Sequence, residues 1–243
     1  MNTDRAQSPV FKFKQFDIIQ SASAMKVGTD GVLVAAWAQS ENTETILDIG
    51  SGTGLIGLML CQRFTHARVI GIEIDSAAHQ ESEGNIARSP WPERMTTINT
   101  DIQGYADSHK QTFGLIVSNP PFFTNQYLPA TQQRSTARHT NELSYEALLR
   151  CANKLLDKNG SFCLILPADA QSEIEKLCCK YLLKVNRICH IKPTPDKPPK
   201  RILISIAQQA YPLQIAEIII EDKGRHQYSA EYKELTKDFY LAF

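Results

Sequence analysis

The hexapeptide Ser118-Asn119-Pro120-Pro121-Phe122-Phe123 follows the apolar run Leu115-Ile116-Val117. Two consecutive prolines fix φ and donate no N–H, so the chain leaves a strand there as a rigid, extended loop whose carbonyls stay open to hydrogen bonds. Asn119 adds a side-chain carbonyl acceptor and Phe122 an apolar face. Together Asn119, Pro120, Pro121 and Phe122 describe a pocket for a flat, amino-bearing group, with Phe123 in a supporting place. A second chemical signal lies upstream, where Asp48-Ile49-Gly50-Ser51-Gly52-Thr53-Gly54 separates the apolar run ETILDIG from the helical run LIGLML. Glycines permit a tight turn and close backbone approach, and the following helix presents unpaired N–H groups. The overlapping Gly52-Thr53-Gly54-Leu55-Ile56-Gly57 also satisfies the dinucleotide fingerprint G-x-G-x-x-G. Glu73 falls about twenty residues further on, where a carboxylate can accept from both hydroxyls of a ribose. NAD and S-adenosylmethionine share that need, so the loop alone does not choose between them. Asp101, after the next apolar run, can reach the exocyclic amine of a bound adenine.

These residues need a scaffold that brings loop ends together. From Glu44 onward short apolar runs alternate with helix-length stretches, the signature of βαβ units and a parallel sheet. Strands are expected at Thr45–Ile49, Arg68–Ile74, Met95–Asn99, Leu115–Ser118 and Ser161–Leu166, and helices near Gly54–Arg63, Ser76–Ser89, Ser144–Leu156 and Ala168–Lys180. Before them come two short extended pieces, Phe11–Phe16 and Asp17–Ser21, and a helix from about Asp30 to Gln39 with Thr29 or Asp30 as its N-cap. Lys184–Ile191 and Arg201–Ala207 read as a hairpin around the Pro- and Lys-rich segment Lys192–Lys200, and Gln214–Ile220 as a further strand. The expected division is an N-terminal appendage of short strands and a helix (1–40) followed by one catalytic domain (41–243).

With 42% hydrophobic and 21% charged residues in a chain of 243, disorder is excluded as the dominant state. No run approaches the roughly 18 apolar residues of a spanning helix, and the opening MNTDRAQSPV has no apolar h-region, so a soluble cytoplasmic protein without a membrane partner is expected. Twenty-six basic residues balance twenty-six acidic ones, leaving no global field for a polyanion; nucleic-acid contact must come from local patches. Cys61, Cys151, Cys163, Cys178, Cys179 and Cys189 contain no CxxC pair, and neither a disulfide nor a metal site is expected.

Asp48-x-Gly50-x-Gly52-x-Gly54, Glu73, Asp101 and Asn119-Pro120-Pro121-Phe122 resemble the successive motifs of class I S-adenosylmethionine-dependent methyltransferases that act on amino nitrogens. The opening Phe11-Lys12-Phe13-Lys14-Gln15-Phe16 and Met25-Lys26-Val27-Gly28-Thr29-Asp30-Gly31 further resemble the bacterial enzymes that methylate N6 of the adenine 3′ of the anticodon in a valine tRNA. The resemblance implies an α/β, Rossmann-like fold: a seven-stranded, mostly parallel sheet with an antiparallel C-terminal hairpin and helices on both faces. It implies S-adenosylmethionine held by Lys26, Thr29, Asp48, Gly50, Gly52, Gly54, Glu73, Asp101, Ile102 and Asn119, and a target base at residues 119–122.

A stacked base hides its edges, so a splayed-out loop adenine of tRNA is the natural substrate. Phosphate contacts are expected from Arg134, Arg138 and His139, and from Lys197, Lys200 and Arg201 beside Lys192 and the single acid Asp196; Lys12, Lys14 and Lys26 form a third basic group. No obligate protein partner is evident. Rival readings are a glutamine amide of release factors or a guanine amine of ribosomal RNA as acceptor, an NAD-dependent oxidoreductase, and a non-catalytic RNA-binding module.

Overall fold

The computed structural model describes residues 10–21, 26–41, 43–121 and 143–243. The chain opens with a small antiparallel hairpin of β1 (Val10–Lys12) and β2 (Asp17–Ile19), then α1 (Thr29–Trp37). Alternation follows: β3 (Thr45–Ile49), α2 (Leu55–Arg63), β4 (Arg68–Glu73), α3 (Ser76–Arg88), β5 (Met95–Asn99), α4 (Ile102–Ser108) and β6 (Phe113–Ser118). Beyond residue 142 come α5 (Tyr145–Leu155), β7 (Leu156–Pro167), a 3-10 turn (Ala168–Ala170), α6 (Gln171–Lys180), β8 (Lys184–Lys192), β9 (Arg201–Ala207), β10 (Gln214–Ile219) and α7 (Ala230–Thr236).

The main sheet runs β10-β8-β9-β7-β6-β3-β4-β5, with β9 antiparallel to both neighbours and the other strands mutually parallel. This is the expected parallel sheet with its antiparallel hairpin. The run expected as a further strand supplies an eighth one, β10, which pairs parallel to β8 outside the hairpin. The central strands carry near-continuous apolar runs because both faces are covered. Ile46, Leu115, Val117, Cys163 and Ile165 face a core shared with α1, α2, the N-terminal hairpin and the C-terminal segment. Their alternates Leu47, Ile116, Phe162 and Leu164 face a second core with α4, α5 and α6. Five cysteines are buried and Cys179 is exposed.

Two local expectations change. The cap position of α1 is Gly28, with no side-chain hydrogen bond, instead of Thr29 or Asp30. Asp30 is drawn off by an ion pair, accepting from Arg201 Nε at 2.8 Å. Asp101, expected as an adenine contact, is also the N-cap of a helix the sequence did not lead one to expect, α4, its carboxylate accepting the Gly104 amide at 2.8 Å. The N-terminal pieces are tied in at both ends. Phe13 bridges to Tyr240, and Lys14, which is exposed, donates from Nζ to the Lys237 and Phe243 carbonyls.

The glycine loop is set by the strand beside it. A Cβ on Gly71 of β4 would lie 2.8 Å from Ser51 Cβ and 2.9 Å from Thr97 Cγ2. Gly71→Ala is therefore expected to cost about 1–3 kcal/mol through overpacking against the loop. Thermal unfolding checks this; an unchanged melting temperature would show that the loop yields freely.

Candidate active site

Because β3, β4, β6 and β7 are parallel, their carboxyl ends share one edge of the sheet, where open α/β sheets hold ligands. The glycine loop leaves β3 at this edge. Gly50, Gly52 and Gly54 have φ of +74°, +53° and +83°, the left-handed region in which a side chain strains the backbone. Gly50 N and Ser51 N donate to the Ile72 carbonyl at 2.9 and 3.1 Å, stitching the turn to β4. A Cβ on Gly50 or Gly52 would meet nothing within 4 Å, so the outer surface of the turn is open. Gly57 instead serves packing, since its missing Cβ leaves room for the Met95 side chain.

Two carboxylates organise the loop. Asp48 is fully buried; its Oδ2 accepts from Gly57 N at 3.0 Å, and its Oδ1 has no partner among the described residues. Burial, opposed by the Gly57 amide and reinforced by the nearby Glu73 charge, pushes Asp48 up from 3.8 to about 7. Glu73 Oε2 accepts from Gly52 N and Oε1 from Asp75 N, both at 2.8 Å. Each oxygen keeps a lone pair for a further donor.

Asn119 arrives at the same edge because β6 is registered on β3, with Ile49 beside Ser118. Ser118 Oγ is buried and donates to the Ile49 carbonyl at 2.8 Å, locking the two strand ends. Asn119 and Gly50 are thus the next residues on adjacent strands. Asn119 is half-buried, yet its Oδ1 is buried with no donor among the described residues. An unmatched buried carbonyl costs about 1–3 kcal/mol, which a ligand N–H in that place would recover. Pro120 is buried and Pro121 exposed.

The methyltransferase small domain family matches this chain over residues 12–189. The chain belongs to that family. It is similar to the tRNA1(Val) (adenine(37)-N6)-methyltransferase of Bacteroides thetaiotaomicron, 43% identical over 96% of this chain and 98% of the relative. It is also similar to the protein of the same name from Pectobacterium carotovorum, 41% identical over 95% and 93%. Among solved structures, a predicted O-methyltransferase from Agrobacterium tumefaciens superposes with a TM-score of 0.66 at 20% identity, over 86% of this chain and 96% of that one, a likeness of fold. Membership in a methyltransferase family removes the oxidoreductase reading of Gly52 to Gly57; in this member Gly57 lets the helix pack closely.

The residues fit the cofactor of such an enzyme. The open faces of Gly50 and Gly52 leave space for a ligand against the backbone, and the free Asp48 oxygen and the spare Glu73 lone pairs suit the ammonium and hydroxyl donors of S-adenosylmethionine. Asp101 is exposed at the start of α4, whereas the Ile102 side chain is buried in the second core, which leaves only its backbone for a ligand. Thr29 is exposed and opens α1; Lys26 is exposed and its Nζ donates to the Gln20 carbonyl at 2.5 Å.

Of the expected RNA contacts, Lys197 and Lys200 are exposed in the β8–β9 loop at the same sheet edge, while Arg201 holds Asp30. Phe122, Arg134, Arg138 and His139 lie outside the described residues. Ser118 and Asn85 support the site without any motif that marks them in the sequence. Fully buried Asn85 donates to the Ile19 and Thr53 carbonyls at 2.9 Å and accepts from Ile19 N at 3.0 Å, joining the N-terminal hairpin to the glycine loop. A lone Asn on a helix carries no motif; its only signal is polarity where α3 should be apolar.

Between 3.8 and about 7 the native protein holds an Asp48 proton that the unfolded chain has released, so this group lowers stability as pH rises through that window. Asp48→Asn keeps an acceptor for Gly57 and removes the titration. Its stability relative to wild type should rise by on the order of 2–4 kcal/mol from about pH 4 to about pH 8. Urea unfolding at both values tests this, and a pH-independent difference would contradict it.

Proposed function

We propose that this chain transfers the methyl group of S-adenosylmethionine to N6 of an adenine in tRNA, at the anticodon-loop position 3′ of the anticodon of tRNA(Val), and that it does so in the cytoplasm. The observation that carries the reading is the buried, donor-free Oδ1 of Asn119 one strand from the open glycine turn. The names of the relatives, similar over nearly their whole length, support adenine as acceptor over a glutamine amide or a guanine amine.

An adenine amine is a poor nucleophile because its lone pair is delocalised into the ring. Asn119 Oδ1 and the Pro120 carbonyl, accepting its two N–H groups, favour a tetrahedral nitrogen with its lone pair aimed out of the ring plane. The bound cofactor supplies an electrophilic methyl group on a sulfonium. As the N6–carbon bond forms, the carbon–sulfur bond breaks and its electron pair leaves on sulfur as the neutral thioether of S-adenosylhomocysteine. The methylated amine, made strongly acidic by its positive charge, then releases one proton to solvent, so no strong base is required and Asp48 and Glu73 fulfil binding roles. Fixing amine and glycine turn on adjacent strands holds the partners in line, an effect worth several kcal/mol. Phe122 is assigned the stacking face for the base, worth about 1–3 kcal/mol.

Asn119→Ala is expected to lower turnover by about a hundredfold or more while leaving cofactor affinity within about twofold, since it removes an acceptor used at the amine. Asp48→Ala and Glu73→Ala should instead weaken cofactor binding. Mass spectrometry of nucleosides from tRNA treated with each protein reads the first effect and calorimetry the second; N6-methyladenosine formed at the wild-type rate by Asn119→Ala would refute the proposal.

A further inference from the structure

The eighth strand carries a loop to the edge where the proposed chemistry occurs. β10 runs parallel to β8, with Ile219 opposite Lys192, and the pairing continues past the strands: Ile220 N donates to the Lys192 carbonyl at 2.8 Å and Glu221 N to the Pro193 carbonyl at 3.0 Å. The β10–α7 loop is thereby zipped to the β8–β9 loop. It closes on itself through Asp222 N to Gln227 O at 3.1 Å, Gln227 N to Gly224 O at 3.0 Å and a Glu221–Tyr228 bridge. Gly224 and His226 turn the chain at φ of +122° and +63°.

Its tip presents Lys223, Arg225 and His226 to solvent, while the Glu221 carboxylate at its base accepts the His226 amide at 2.8 Å. Across the zipped boundary the proline-rich loop presents Lys197 and Lys200. Among the described residues no ion pair engages Lys197, Lys200, Lys223 or Arg225, whereas Lys192, Lys154, Lys180 and Arg201 each have a carboxylate partner. Lys197, Lys200, Lys223 and Arg225 thus stand together on two joined loops, in a protein whose overall charge is zero. Asp196 and Asp222 are the acids exposed beside them.

Position indicates what they meet. Four strand spacings separate β10 from β6, which places the β10–α7 loop about 19 Å from the strand that presents Asn119. That distance exceeds the reach from a flipped base to its own phosphates, so the loop faces backbone further along the RNA than the target nucleotide.

We propose that the β10–α7 loop, through Lys223 and Arg225, is a second RNA-contact element that grips the phosphate backbone of the stem beside the loop holding the target adenine. The inference rests on the tRNA reading above and adds to it a specific surface and the part of the RNA it touches. Phosphates gripped by side chains release counterions, so each contact steepens the salt dependence of binding by about 0.9 on a double-stranded stem.

The test uses the full chain, binding to intact tRNA and to a short single-stranded oligonucleotide of the anticodon loop, each across a salt series. Lys223→Gln/Arg225→Gln should weaken binding to intact tRNA about tenfold and make its log–log salt slope shallower by about 1.8. Binding to the short oligonucleotide should stay within about twofold of wild type, and cofactor affinity and melting temperature should be unchanged. An unaltered slope with intact tRNA would overturn the inference while leaving methyl transfer by the wild type intact. An equal loss on the short oligonucleotide would also overturn it, by moving the contact to the target loop. A wild-type protein that neither binds nor methylates tRNA would overturn both readings. Lys110→Gln/Lys158→Gln, exposed cations outside the two loops, should behave as wild type in every arm; the same slope change there would reduce the effect to net charge and overturn the assignment.

Discussion

The arrangement depends on the register between β3 and β6. Ile49 lies beside Ser118, and the buried Ser118 hydroxyl closes that register on the Ile49 carbonyl at 2.8 Å. A slip of β6 by one residue would reverse its faces, exchanging Ile116 for Leu115 and Val117 across two filled cores. Packing forbids this. The residues that follow are consequently fixed: a glycine turn on one strand and an asparagine with two prolines on its neighbour. The hydrogen bond itself is worth only about 0.5–1.5 kcal/mol, so apolar packing specifies the register and the hydroxyl trims the strand ends.

Around that junction, polar groups are held at a cost to stability. Asp48 is buried with one oxygen unmatched and is pushed up to about 7, and Asn119 Oδ1 is buried without a donor among the described residues. Such groups are tolerated where a ligand will satisfy them. Asn85, by contrast, is satisfied on all sides and makes the N-terminal hairpin part of the glycine loop's support. The basic residues divide in the same way. Arg63 and Arg94 are spent on helix-end carbonyls, and Arg201 holds α1 through Asp30. Lys197, Lys200, Lys223 and Arg225, without ion pairs among the described residues, gather at the carboxyl edge beyond β8 and β10.

Much of this was legible in the sequence. The strand bounds of β3 and β5 match the expected ones, because a short apolar run flanked by polar residues has one way to enter a doubly covered sheet. The glycine turn, Glu73 and Asn119 were legible because their chemistry needs rare residue types at set spacings. Pairing was less so. Gln214–Ile220 reads as a strand, but the parallel place of β10 outside the hairpin follows from long-range packing that no local pattern encodes. The helix α4 hid behind Asp101, whose capping role and ligand role draw on the same carboxylate. Ser118 and Asn85 escaped because single polar residues acquire meaning only from what the fold places beside them.

A crystal structure of the chain with S-adenosylhomocysteine and an anticodon stem-loop containing the target adenine would show whether the amine meets the oxygens at the end of β6. N6 is expected about 3 Å from both Asn119 Oδ1 and the Pro120 carbonyl, facing the sulfur across the glycine turn. An adenine bound elsewhere, with Asn119 Oδ1 turned onto a protein donor, would contradict it.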